Sequence, residues 1–182
     1  MRLHLSLLAL VTTLLSASSS GSLYTLYQNG QYLRACNQGA KMLHRHEQDE
    51  RFVSLYAFSC LEADRIDRLA LPAVILNHSE EARRNATYFA AILLQRNLLI
   101  NALENQTPLT GLKLPTSDHL LSRVFDLYSA NHYVKSGDSY VLTDPQTPRR
   151  SYKLFLRHSG QSLQLGITEY YDTILTKQHI YR

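Results

Sequence analysis

The sequence predicts an α+β protein in which a body of antiparallel helix pairs is followed by a small C-terminal antiparallel β-sheet. Three observations carry this reading. Apolar residues recur three and four positions apart as far as about Tyr133, and from Ser139 onward the repeat drops to two, the change from helix to strand. Between these regimes, Ser79 to Asn105 (SEEARRNATYFAAILLQRNLLINALEN) reads as one long helix, apolar on nearly every side from Tyr88 to Leu94. Such a helix needs neighbours on several sides. With 182 residues the chain can bury a core without metal or many disulfides. The expected organisation is a leader over 1–22, a helical repeat-like domain over 23–135, and a sheet over 136–182 that packs on the helices because so few strands are marginal alone.

The leader is the most specific signal. Arg2 precedes the uncharged run LSLLALVTTLL from Leu5 to Leu15, and small residues follow from Ser16 to Ser22. A basic start, a short apolar stretch and a small-residue cleavage region make a secretory signal peptide. The run falls short of the roughly 20 residues a membrane span needs, and Gln95, Arg96 and Asn97 interrupt the long helix. The expectation is an exported protein, periplasmic or secreted, with no membrane span after cleavage. The formal charge of +4 is small and its signs are interspersed, which argues against a nucleic-acid partner.

Leu23 to Gln28 supplies one or two helical turns, which the pair Asn29-Gly30 ends. A second helix runs from Gln31 to His44 on the stripe Leu33, Cys36, Ala40 and Leu43. Gly30, Tyr32, Ala35 and Gly39 in NGQYLRACNQGA resemble the turn and second helix of a tetratricopeptide-type repeat. The resemblance covers about half of one repeat, and it implies stacked helix pairs that bind other proteins. The polar run His44 to Glu50 is a solvated connection whose Asp49 caps a third helix, Arg51 to Ala63. His44 and His46, two apart, would diverge on a helix. Folding the second and third helices back on each other brings Cys60 within about a turn of the level of Cys36. A disulfide between Cys36 and Cys60 and two reduced buried thiols both fit that placement.

The next segment, DRIDRLALPAVIL, kinks or restarts at Pro72. Ser79 caps the long helix, with Glu80 and Glu81 complementing its dipole. Gln106 to Pro115 is a crossing loop. A final amphipathic helix, capped by Thr116 or Ser117, carries Leu120, Leu121, Val124, Leu127 and Tyr128 and ends near Tyr133.

Beyond the boundary at Ser136-Gly137-Asp138, a short strand covers Tyr140 to Thr143. A hairpin pairs Tyr152–Leu156 with Leu163–Ile167, and Thr173 to Tyr181 adds a further strand. The tail is basic, through Arg149, Arg150 and Arg157 among others, which suits either a cationic face or edge strands guarded against association. Tyr170 and Tyr171 offer an aromatic contact for a peptide or glycan. No GxSxG, HExxH, P-loop or GxGxxG pattern occurs, and no cofactor is indicated. The expectation is an interaction module for another extracytoplasmic protein, with Tyr170, Tyr171, Arg149, Arg150 and Arg157 as partner-binding candidates. A hydrolase with a site assembled from distant residues, or a glycan-binding module, are the alternatives.

Overall fold

The structure, a computed structural model, describes residues 18–182; most of the expected leader lies outside the described residues. Among the described residues, six α-helices precede one five-stranded antiparallel sheet of order β1-β2-β3-β4-β5. No helix among them is long and apolar enough to cross a membrane.

α1 (Ser18–Gln28) turns back at Gly30, whose φ of +68° is left-handed, into α2 (Tyr32–Met42). A 3-10 turn, Leu43–Arg45, ends that segment. α3 (Glu50–Glu62) starts at Asp49, whose carboxylate accepts hydrogen bonds from the Arg51 and Phe52 amides, both 3.1 Å. The buried stripe of α2 is rotated from the expected one. Ala35, Cys36 and Gly39 face inward, whereas Leu33 is 52% exposed. Small residues take the buried positions because α3 lies close: a Cβ on Gly39 would stand 2.6 Å from the Tyr56 ring. Cys36 and Cys60 are joined as a disulfide with Cα atoms 4.7 Å apart.

A 3-10 turn, Ile66–Leu69, runs directly into α4 (Ala70–Ile75), with Pro72 in its first turn, where a missing N–H costs nothing. α5 (Glu80–Asn105) is capped by Ser79, which accepts from the Ala82 amide. Its buried residues, Ala82, Phe89, Ile92, Gln95, Leu99 and Ala102, form a single stripe at helical spacing. α3, α4, the last helix and two strands of the sheet all pack on this helix, as expected of a helix apolar on several sides, although Ala90 is exposed and Leu94 is 47% exposed. Buried Gln95 donates to the Pro115 carbonyl at 3.1 Å and accepts from the Ser122 hydroxyl at 2.8 Å. It thus pins the crossing loop and α6 (Leu120–Ser129) to the long helix.

Three further expectations are corrected. α6 is capped by His119, whose Nδ1 accepts from the Leu121 amide at 3.1 Å; Ser117 bonds the His119 amide instead. The helix also stops at Ser129, because Asn131 takes a left-handed φ of +58°. The chain then forms β1 (Tyr133–Ser136), so Gly137-Asp138 is a hairpin turn into β2 (Ser139–Thr143) and not a boundary before the sheet. β3 (Arg150–Ser159), β4 (Ser162–Tyr171) and β5 (Ile174–Tyr181) complete the meander. Leu142, Leu154, Leu165, Ile167 and Tyr181 are fully buried on the helix-facing side. On the other face the Phe155 ring lies over Gly166, where a Cβ would come within 2.3 Å of it.

Candidate functional site

Among the described residues β5 is an edge strand, pairing only with β4 on one side. Its far end is already engaged on the other. The Arg182 amide donates to the Asp64 carbonyl at 3.1 Å, and the Asp67 amide donates to the Arg182 carbonyl at 2.7 Å. Backbone groups alternate sides along a strand, so if Arg182 bonds outward, Ile180 and Gln178 direct their N–H and C=O groups the same way. The loop after α3 therefore covers one step of the edge and leaves the adjacent steps open.

A side-chain clamp holds this end of β5. His179 Nδ1 lies 2.8 Å from Asp64 Oδ1, and its Nε2 lies 3.3 Å from Glu169 Oε1. Asp64 sits at a left-handed φ of +58° just past α3, which aims its carboxylate at the strand. Tyr181 stacks on His179 with ring centroids 5.5 Å apart and meets His119 at 5.9 Å. Burial lowers the His119 pKa to about 4, in keeping with a ring whose Nδ1 must stay unprotonated to accept the α6 cap bond. Burial also raises the Tyr181 phenol well above its usual range, and its hydroxyl has no hydrogen-bond partner among the described residues. Both His179 nitrogens face carboxylates, so this ring is a clamp and not a base presented to a nucleophile. Among the described residues, no group of three or more His, Cys, Asp or Glu is placed to hold a metal ion.

Beside the clamp, a cleft of ≈ 410 Å³ lies between the β5 edge and the helical body. Gln178 and Ile180 form one wall and the exposed Leu33 and Asn37 of α2 the other. A second hollow of ≈ 500 Å³ continues it, sharing Arg65 and Arg182 and adding Arg96 and Ser162. No protein-family model, curated protein or solved structure matches this chain.

Four guanidiniums line the joined cleft, those of Arg65, Arg96, Arg157 and Arg182, against the carboxylates of Asp64 and Asp67. Asp67 is engaged by Arg65 at 3.1 Å and by Arg68 at 3.6 Å, and Asp64 by His179. Among the described residues, Arg157 bonds only the neutral Gln164 side chain, at 2.7 Å, and Arg96 bonds Asn97 at 2.9 Å while its buried Nε has no partner. Desolvation lowers the Arg96 pKa.

The partner-binding candidates read from the sequence are not brought together. Arg157 lies on the cleft. Arg149 and Arg150 lie at the other end of β3, about 24 Å away at the usual strand rise; Arg149 is paired with Asp172 and sits 4.4 Å over the Tyr171 ring. Tyr170 and Tyr171 are successive strand residues on opposite faces, so they form no joint platform. Tyr170 instead borders a shallow depression on the open sheet face with Phe155 and Leu175. Arg182 entered the sequence reading only as part of the basic tail, and Arg65, Arg96 and the His179 clamp were not singled out as site residues. They come from four separate elements, and only the return of the last strand to the loop after α3 unites them. The proximity of Arg182 to Asp64 spans more than half the chain and has no local signal.

A wider hollow of ≈ 990 Å³ lies between the starts of α3 and α5. Several of its polar groups are already engaged within the fold: Asp49 caps α3, Glu50 accepts from the His78 and Ser79 amides, and Asn85 donates to Ser54. The β5 edge differs in presenting backbone groups that the fold itself leaves open.

Proposed function

We propose that this chain is an interaction module that takes an extended protein segment as an added strand along β5, and that it works outside the cytoplasm. The observation that carries the reading is the open edge at Gln178 and Ile180, walled on its far side by α2. An incoming strand gains main-chain hydrogen bonds from such an edge, while the cleft walls select its side chains. Leu33, 52% exposed, supplies apolar contact for a residue of the added strand. The half-repeat resemblance around Gly30 to Gly39 supports a helical body that serves binding, and the leader-like start supports export. The Cys36–Cys60 disulfide is in keeping with an oxidising compartment.

The test uses the edge itself. The tagged protein, cross-linked in an extracytoplasmic fraction, is expected to capture a stoichiometric partner, and Ile180→Pro is expected to abolish that capture. Proline removes the outward N–H at 180 and leaves the β4 ladder in place, because edge positions tolerate it. Capture that persists in Ile180→Pro, with an unchanged circular dichroism spectrum, would place the contact elsewhere.

A further inference from the structure

We propose that the segment taken by β5 is acidic, and that its carboxylate is held by the arginine cleft at Arg96 and Arg157. This rests on the strand-addition reading, and it adds the chemistry that chooses the partner. Three observations converge on it. The cleft opens directly from the strand edge, since Arg157 lines the same hollow as Gln178 and Ile180. A side chain leaving the added strand therefore enters it.

The charges in the cleft are also unbalanced: among the described residues, no carboxylate pairs with Arg96, Arg157 or Arg182. Elsewhere in the fold some exposed arginines find acids, as Arg84 finds Glu80 and Arg149 finds Asp172. The third observation is that Arg96 is partly buried with an Nε that nothing satisfies. A guanidinium withdrawn from water without an acceptor is costly unless a ligand completes it. The exposed Arg157 guanidinium, which faces only the neutral Gln164 amide, is the group that a carboxylate in the cleft reaches first, because a carboxylate accepts parallel N–H bonds from a guanidinium. Burial lowers the Arg96 pKa and the nearby Asp67 carboxylate offsets this only in part.

The experiment titrates the full chain, by fluorescence anisotropy at low salt, with three probes. These are a blocked ten-residue peptide of alternating Val and Glu, the same peptide with Gln for Glu, and inorganic phosphate as a competitor. The acidic peptide is expected to bind about tenfold or more tighter than its Gln counterpart, the size expected for a charge-assisted pair. Arg157→Gln and Arg96→Gln are each expected to remove most of that difference while leaving the Gln peptide unaffected. Arg157 is exposed on β3, so its variant keeps the test valid even if Arg96→Gln misfolds. Equal binding of both peptides, unchanged by either substitution, would overturn the acidic specificity and leave strand addition standing. Acidic-peptide binding that both arginine variants weaken but Ile180→Pro does not would retain the anion site and overturn strand addition. Phosphate binding seen by isothermal titration calorimetry, with no measurable affinity for either peptide, would assign the cleft to a free anion and overturn the proposal.

Discussion

His119 joins two roles that share one protonation state. Its Nδ1 accepts the Leu121 amide at the start of α6, and burial lowers its pKa to about 4. A free histidine titrates near 6.5, so between that pH and about 4 the unfolded chain binds a proton that the folded chain refuses. Stability from this group is complete above about pH 6.5 and is lost as pH falls through the window, by up to about 3 kcal/mol. His119→Asn keeps a capping acceptor and removes the titration. Urea denaturation from pH 7 to pH 4 is expected to show a shallower loss in the variant; parallel curves would contradict the assignment. Tyr181 poses the opposite case, a buried hydroxyl without a partner. Tyr181→Phe removes an unsatisfied group and is expected to be neutral or to stabilise the fold by about 1 kcal/mol. A clear loss of stability would show that the hydroxyl is satisfied.

At the scale of elements, the contact between α2 and α3 depends on Gly39. A methyl there would stand 2.6 Å from Tyr56 Cδ2 and 3.1 Å from its Cβ, atoms held near the backbone with little room to move. Gly39→Ala is therefore expected to lower stability by about 1–3 kcal/mol, the range for overpacking, despite alanine's better helix propensity. Equal or higher stability in chemical denaturation would show that α2 can shift away. The fold was legible in the sequence wherever local chemistry decided it. Asp49 and Ser79 mark helix starts by capping, Pro72 marks a first turn, and the period-two runs mark β3, β4 and β5. It was illegible where a tertiary contact overruled the local pattern. Leu33 fits the apolar stripe of α2, yet the close approach of α3 favours Ala35 and Gly39 inward and turns Leu33 to the cleft. His119 caps α6 although two hydroxyl residues precede it, because its ring is also packed against Tyr181. β1 escaped notice because four residues, YVKS, give too short an alternation to separate from a helix end.

At the scale of the molecule, the candidate site exists because the last strand returns to the loop after α3. The Asp64–His179–Glu169 clamp and the backbone bonds of Arg182 fix the strand end against the helical body. The sheet edge then faces α2 across an arginine-lined cleft, and β5 is left open beside it. The basic tail seen in the sequence thus divides into two parts. Arg149, Arg150 and Asp172 belong to an exposed hairpin end, while Arg157 and Arg182 belong to the cleft. The most direct test of strand addition is amide hydrogen exchange followed by NMR, with and without the acidic peptide. In the free protein, His179 and Tyr181, bonded to β4, should exchange slowly while Gln178 and Ile180 exchange fast; added peptide should slow Gln178 and Ile180 specifically. Protection of those two amides in the free protein, or no change when the peptide binds, would contradict the account.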